Sequence, residues 1–435
     1  MVKPVIGIRR EDKNIWERRA PIVPEHVAAL VREHGVEVLL QKSDLRVIPA
    51  ADYARAGAQV VEDLSPCRVI FAVKEIPLAL LQKGKTYVFF SHTIKGQAHN
   101  MPMLRRMMEL GCQLIDYEKL VDEQGRRLVF FGRHAGLAGM IDTLWALGRR
   151  LEWEDIPSPF AAVKRAHQYA DLGQARAALS EVGRRISAEG LPEALVPFVI
   201  GFTGYGHVSK GAQELMACLP TRRISPSELG ALRGGDRRAV YQVEFKEDHM
   251  FEPAGTGRPF DLQDYFRHPE GYRSRFEPYL PHLSVLVNGI YWEARCPKLV
   301  TKEYLKRAYA ASPRQRLKVI GDITCDLEGS IECNVKSMDP GNPVFTYDPL
   351  RDAAADGCAG DGPVVLAVDN LPAELPWEAS RDFSAALMPF VPEIAKADTA
   401  AALDACGFSA PVRKATILYQ GRLTPGYRYL KKHLS

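Results

Sequence analysis

The stretch that most restricts what this chain can fold into is Ala194 to Met216, ALVPFVIGFTGYGHVSKGAQELM. The apolar run Leu195 to Phe202 predicts a buried strand. Gly201, Gly204 and Gly206 follow closely, and a helix is predicted to open near Val208. Strand, glycine turn and helix in that order is the context in which such glycines form a dinucleotide site. Gly204 suits the tight turn, and Gly206 lets the backbone approach a pyrophosphate. The helix that follows offers unpaired N–H groups and the positive end of its dipole. Tyr205, His207 and Val208 lie in the same turn and its first helical residues. Ser209 stands where the usual third glycine would be, with Gly211 shortly after. A plain strand-to-helix turn with no ligand is the competing reading.

Bulk properties exclude several classes. The length of 435 residues exceeds one ordinary core and predicts two domains. A net charge of +4, with basic residues scattered, gives no reason to expect nucleic acid. No apolar run is long enough to span a bilayer, so no membrane partner is expected. The opening MVKPVIGIRRED turns charged too early for a secretory signal. The cysteines show no CxxC pattern, which predicts reduced thiols, no metal site and a cytoplasmic protein.

The amino-terminal segment alternates strand and helix signals. Val5–Ile8, Val36–Gln41, Val69–Val73 and Tyr87–Phe90 read as strands, and Pro24–His34 and Met101–Leu110 as helices. Such alternation predicts a parallel sheet, whose ligands bind outside the carboxyl ends of the strands. Chemistry-bearing residues fall there: Lys74-Glu75 after one run, and Ser91-His92 with Lys95 after the next. Later, Leu317–Ile320 leads to Asp322 and Asp326, and Val364–Val368 to Asp369-Asn370. A lone lysine or histidine at such a place is usually a surface group. Two in adjoining βα units weigh against that.

Ala135–Leu151 predicts a long helix linking two domains. Arg233–Tyr279 is polar and aromatic and reads as an inserted surface segment, and Arg351–Gly362 as a turn-rich loop. The expected architecture is α/β, with two doubly wound domains and a cleft between them. Residues 1–135 plus 372–435 are assigned to a discontinuous substrate and catalytic domain, and 136–371 to a dinucleotide-binding domain.

Several segments carry a resemblance: IGIRREDKNIWERRAPIVPEHV, VKEIP, FFSHTIKGQAHNMPML, LIDYEKLVDEQGRR, TGYGHVSKGAQEL, NGIYWE, GDITCDLEGSIE and VDNLPAELPWEAS. In order and over nearly the whole chain, they resemble the lysine–2-oxoglutarate reductase module that forms the amino-terminal half of bifunctional aminoadipic semialdehyde synthases. More distantly, the chain is similar to saccharopine dehydrogenase (lysine-forming), alanine dehydrogenase and transhydrogenase, all with Rossmann-like domains. No second glycine fingerprint follows, so the reductase half alone is expected.

The resemblance implies roles. Lys74 and His92 match the acid–base pair. Glu75 and Glu118 match acidic residues on the amine side, Arg19 an arginine that binds a substrate carboxylate, and Lys95 a further basic pocket residue. Asp322 or Asp326 matches an aspartate near the nicotinamide and ribose, and Asn370 and Leu371 the loop against the nicotinamide. The implied activity is NADPH-dependent condensation of L-lysine with 2-oxoglutarate to saccharopine, or the reverse, with a homodimer possible. Histidine titrates near neutrality, a lysine base needs its pKa lowered, and arginine's fork suits carboxylates. Counting about twenty positions past the glycines, where a dinucleotide fold reads the ribose, reaches Arg222 and Arg223. That basic pair favours NADPH over NADH. A related amino-acid or opine-type dehydrogenase, and a non-catalytic nucleotide-binding module, remain alternatives.

Overall fold

The amino-terminal βα alternation folds as a parallel sheet in the computed structural model, which describes residues 3–232, 234–255 and 257–434. The chain divides into a first unit, Met1–Phe131 with Pro376–Ser435, and a second, Gly132–Leu375.

In the first unit, β1 (Val5–Ile8), β2 (Glu37–Gln41), β3 (Gln59–Val61), β4 (Val69–Phe71), β5 (Thr86–Phe89) and β6 (Gln113–Asp116) lie parallel in the order β6-β5-β4-β1-β2-β3. The strands are largely buried apolar runs, as a sheet covered on both faces requires. Helix α1 (Pro24–Arg32) opens on a proline at its first turn and buries Val27, Ala28 and Leu30. Helices α2 (Ala50–Arg55) and α3 (Met101–Glu109) complete the amino-terminal βα steps. The carboxyl-terminal segment joins this unit through helix Pro376–Leu387. Its Ser380 and Ser384 hydroxyls accept from the backbone N–H of Ala20 (2.9 Å) and Val23 (3.0 Å). Strand Thr416–Tyr419 then adds antiparallel to β6.

The second unit begins with α4 (Gly132–Trp153) and α5 (Leu172–Glu189). Strand β7 (Val199–Thr203) follows, fully buried. It starts later than the apolar run suggested: 193–195 form a 3₁₀ turn, and Pro197 cannot donate to a ladder. Then come α6 (His207–Glu214), β8 (Thr221–Ile224), β9 (Val240–Phe245) and a single turn, α7 (Glu247–Met250). Strands β10 (Phe251–Pro253) and β11 (Tyr272–Ser274) form a separate hairpin-like pair. β12 (Val285–Asn288), β13 (Val319–Asp322), β14 (Val344–Asp348), β15 (Ala353–Asp356) and β16 (Val364–Leu366) complete a sheet ordered β15-β14-β16-β13-β12-β7-β9-β8. β14 and β15 run antiparallel.

Two sequence expectations are corrected here. The segment from Arg233 to Tyr279 is not wholly a surface insertion, because it contains β9, a buried strand beside β7. Its apolar residues were masked by charged neighbours on both sides, Asp236-Arg237-Arg238 before and Lys246-Glu247-Asp248 after. Arg233 itself lies outside the described residues. The supposed loop 351–362 contains β15, an exposed edge strand of alanines whose composition carries little strand signal.

Helix α4 is buried on almost every side. It meets α6 so closely that a Cβ on Gly136 would sit 2.0 Å from the Val208 carbonyl oxygen, and one on Gly211 2.2 Å from that of Arg133. Gly211, and not the position of Ser209, therefore supplies the close packing of the glycine-turn helix.

Candidate active site

Three adjacent strand ends of the first unit gather charge. Lys74 and Glu75 follow β4, His92 follows β5, and Glu118 lies in the turn after β6. His92 Nε2 is 3.6 Å from Glu75 Oε1, and Glu75 Oε2 accepts from Lys13 Nζ at 2.9 Å. Glu118 accepts from Arg127 at 2.9 Å. The His92 ring stacks on Phe90, with centroids 6.3 Å apart, and its backbone is left-handed at φ 52°. That conformation is uncommon for a residue other than glycine, and Asn100 Nδ2 holds it by donating to the His92 carbonyl at 2.9 Å.

The electrostatics follow from this crowding. Burial, then the charge of Arg19, lowers the Lys74 pKa. Lys74 Nζ makes no ion pair among the described residues. Burial also lowers that of His92, although Glu75 pulls the other way, so the neutral imidazole is favoured. Burial alone would raise the Glu75 carboxyl, but the Lys13 hydrogen bond and a backbone N–H hold it below its ordinary value.

Arg19 is buried with Glu17, whose carboxylate accepts from Arg19 Nε at 2.8 Å and Nη2 at 2.5 Å. Its guanidinium also lies 4.2 Å over the Phe131 ring centroid. Lys95 is exposed. It lies on the same loop as His92, three residues on.

Two further residues escaped the sequence reading. Glu11 is buried and accepts from the backbone N–H of Val73 (2.7 Å) and Lys74 (3.0 Å), fixing the turn that carries the lysine. Burial, then Glu17, pushes its carboxyl up to about 7. Asp116 is likewise buried. It accepts from the Ser91 N–H (3.3 Å), the Ser91 hydroxyl and the Glu118 N–H (2.9 Å), tying the turns that carry His92 and Glu118. Burial raises it to about 7 as well. The only sequence signal was an acid placed where a buried strand ends or just after one.

In the second unit the glycine turn has the shape that phosphates require. Gly204 is left-handed at φ +75°, and a Cβ there would press on Ile290 Cγ2 at 3.0 Å. Gly206 caps α6, and a Cβ there would meet nothing within 4 Å. The open space adjoins the first turn of α6, the end of a helix where backbone N–H groups have no intrahelical acceptor and the dipole is positive. These residues fit a dinucleotide. A pocket of about 410 Å³ adjoins the turn, lined by Tyr205 and Gly206 together with Glu247, Phe251, Tyr265 and Ile290.

The remaining expected cofactor residues divide. Asp322 is consumed inside the protein: its Oδ1 accepts from Asn288 Nδ2 (2.8 Å) and Thr324 Oγ1 (2.8 Å), and its Oδ2 from Asn334 Nδ2 (2.7 Å). Thr203 extends this chain to β7 by donating to Asn288 Oδ1 at 2.6 Å. Burial raises the Asp322 carboxyl to about 6, and its partners mark it as a tie between strand ends. Asp326 is only partly buried, whereas Asn370 is 9% exposed and Leu371 1%. The Leu371 side chain packs toward α4, 3.1 Å from where a Cβ on Gly139 would be.

Arg222 and Arg223 are not at the glycine turn. They lie on β8, the sheet edge, with β9 between it and β7. Arg222 is level with Tyr241 and so with Val199, the first residue of β7. The turn lies beyond the opposite end of that strand, about 13 Å further along and two strand spacings, about 10 Å, across. Arg222 is instead paired with Asp236 at 2.6 Å. The count of about twenty residues assumes that the next strand in sequence is the next in space, which fails here.

With this geometry in place, similarity to known proteins is informative. The α-aminoadipic semialdehyde synthase of Mus musculus is 38% identical over 444 residues, covering 99% of this chain and 48% of the mouse protein. The Arabidopsis thaliana synthase is 36% identical over 450 residues, covering 98% of this chain and 41% of its own length. The chain is homologous to the α-aminoadipic semialdehyde synthases. It spans about half the length of these relatives. Residues 7–138 match the family model "Alanine dehydrogenase/PNT, N-terminal domain". The saccharopine dehydrogenase [NAD(+), L-lysine-forming] of Yarrowia lipolytica is 25% identical, covering 92% of this chain and 95% of that protein. A solved L-alanine dehydrogenase superposes with a TM-score of 0.63 at 18% identity, covering 99% of this chain and 100% of the other. A transhydrogenase from Sinorhizobium meliloti does so with a TM-score of 0.54 at 16% identity, covering 97% and 99%. Both establish the two-unit Rossmann-like fold.

Proposed function

We propose that the chain is an NADPH-dependent oxidoreductase that condenses L-lysine with 2-oxoglutarate and reduces the product to saccharopine, and catalyses the reverse. The observation that carries this reading is the cluster of Lys74, Glu75 and His92 on adjacent strand ends, with both cationic groups shifted toward neutrality. Homology to the synthases supports the substrate class.

In this reading the first unit binds the substrates and moves protons. Reductive condensation requires proton transfers at the amine, at the carbinolamine oxygen as water leaves, and at the nitrogen of the C=N bond. His92 Nε2 and Lys74 Nζ, both shifted toward their neutral forms, can each take up a proton and return it. Glu75 and Glu118 would hold the cationic amine side. Arg19 and Lys95 would hold carboxylates of the keto acid. Gly204, Tyr205, Gly206, His207 and Val208 would hold the dinucleotide diphosphate, with Asp326, Asn370 and Leu371 toward its nicotinamide end. The bound dinucleotide supplies the hydride. The eight unpaired cysteines suit a reducing compartment, and we assign the protein to the cytoplasm, although the mouse relative is named as mitochondrial. Among the described residues no helix is long and apolar enough to cross a membrane.

The test is oxidation of NADPH by the purified chain with 2-oxoglutarate and a panel of amines. Turnover that depends on L-lysine is the expected result. Turnover with other amines but not lysine would replace the substrate, and no turnover with any would reject the enzyme.

A further inference from the structure

The dinucleotide domain reads the adenosine ribose at the end of the strand beside the glycine strand, on the side away from the switch point. In this chain that strand is β9, because β7 is flanked by β12 and β9 and the winding reverses between β7 and β12. The glycine turn is tied directly to it: Gly204 N–H donates to the Phe245 carbonyl at 2.9 Å. The next residue is Lys246, which is exposed and makes no ion pair among the described residues. Its Nζ lies 5.8 Å from the ring centroid of Tyr205, the residue between the two turn glycines. Burial, and then the nearby carboxylate of Glu247, the residue after Lys246, raises the pKa of the Tyr205 hydroxyl. The exposed ammonium of Lys246 is thus placed beside the turn, where it can meet an anion.

A second, independent feature lies at the same place. Tyr205, Phe266 and Tyr291 are 36%, 53% and 79% exposed. All three line the pocket of about 410 Å³ beside the turn, together with Met250, Ile290, Glu247 and Glu293. A concave, apolar and aromatic site next to a phosphate cradle has the character of a purine site.

We propose that Lys246 selects the 2′-phosphate of NADPH, and that the segment after β9 walls the adenosine end of the site. The proposal rests on the reading of this chain as dinucleotide-dependent and requires nothing of its substrates. It replaces Arg222 and Arg223 as the source of cofactor preference.

The experiment is equilibrium binding of NADP⁺ and NAD⁺ to the full chain, by calorimetry, without substrates. The unsubstituted chain is expected to prefer NADP⁺. Loss of one charge-assisted contact in Lys246→Ala should reduce that preference by about 10- to 100-fold, chiefly by weakening NADP⁺. Lys246→Glu should reverse it. Arg222→Ala/Arg223→Ala should leave the ratio unchanged. Lys246 is exposed, so neither variant at that position tests folding. An unchanged ratio in Lys246→Ala, a fall in the double arginine variant, or binding of neither nucleotide overturns the proposal. Binding as expected together with no lysine-dependent turnover would leave it standing and reject the substrate assignment instead.

Discussion

The two units are built on the same plan and wound differently. Each has a parallel sheet whose direction of winding reverses once, between β1 and β4 in the first and between β7 and β12 in the second. In the first unit the chain steps outward in order, β1 to β2 to β3. In the second it goes from β7 to the edge, forms β8, and returns to lay β9 in between. Sequential strands are usually spatial neighbours. The first unit follows that tendency, with Lys74-Glu75 and His92 after the adjacent strands β4 and β5. The second departs from it, so counting along the sequence from the glycines leads to Arg222 on the edge strand β8 and not to the end of β9, the neighbour of β7. The units also use buried polarity differently. In the first, Glu11 and Asp116 hold backbone turns that present other side chains. In the second, Asp322 and Asn288 join strand ends to one another.

The sharpest way to break this contrast is to separate proton transfer from dinucleotide binding. Lys74→Met and His92→Asn should each lower kcat by about 10² to 10⁴, the usual worth of an acid–base group. Asparagine is chosen because it tolerates the left-handed backbone at this position. NADP⁺ affinity should not move in either variant. Unchanged kcat in both would remove the pair from the mechanism.

Gly206→Val addresses the other unit. Its φ of −74° suits any residue and no atom obstructs a Cβ, so the thermal midpoint should hold. The new methyls would occupy the space a diphosphate requires, and dinucleotide affinity should fall by about 100-fold. Intact affinity would place the phosphates elsewhere.

Glu11 gives a pH signature. Its carboxyl stands at about 7 in the folded chain against an ordinary 4.5, so the folded state keeps a proton that the unfolded chain has released. That contribution to stability is full below the ordinary value and is lost as pH rises through the folded one, a change of about 3 kcal/mol. Glu11→Gln cannot titrate, so its thermal midpoint should fall less than that of the unsubstituted chain between about pH 5 and pH 8. Parallel midpoint curves would show that Glu11 is not the group involved.

The smallest effect belongs to Arg222→Ala. The Arg222–Asp236 pair is exposed, 59% and 36%, and such pairs contribute less than about 1 kcal/mol. A midpoint shift of several degrees in a melting experiment would contradict this.

Much of the site was legible because strand ends in parallel sheets are where ligands bind. Lys74, Glu75 and His92 could be found from apolar runs followed by polar residues, and the structure puts them on adjacent strand ends with His92 Nε2 3.6 Å from Glu75 Oε1. Lys95 lies on the same loop as His92 and is exposed. Glu11 was hidden in the charged run Arg9-Arg10-Glu11-Asp12-Lys13, where nothing distinguishes a buried acid from a solvated one. Strand β9 was hidden by its charged flanks, so sequence order alone would make the edge strand β8 the neighbour of β7.

Local pattern determined the parts of this protein that depend on a few consecutive residues: the glycine turn at Gly204 and Gly206, the βα steps, and the polar residues closing each strand. Those features arise from backbone geometry and hydrophobic periodicity, which short stretches encode. Strand order, the backbone clamps of Glu11 and Asp116, and the meeting of Lys246 with Tyr205 were decided only in three dimensions. They depend on which segments far apart in sequence become neighbours, and that is set by the packing of the whole sheet.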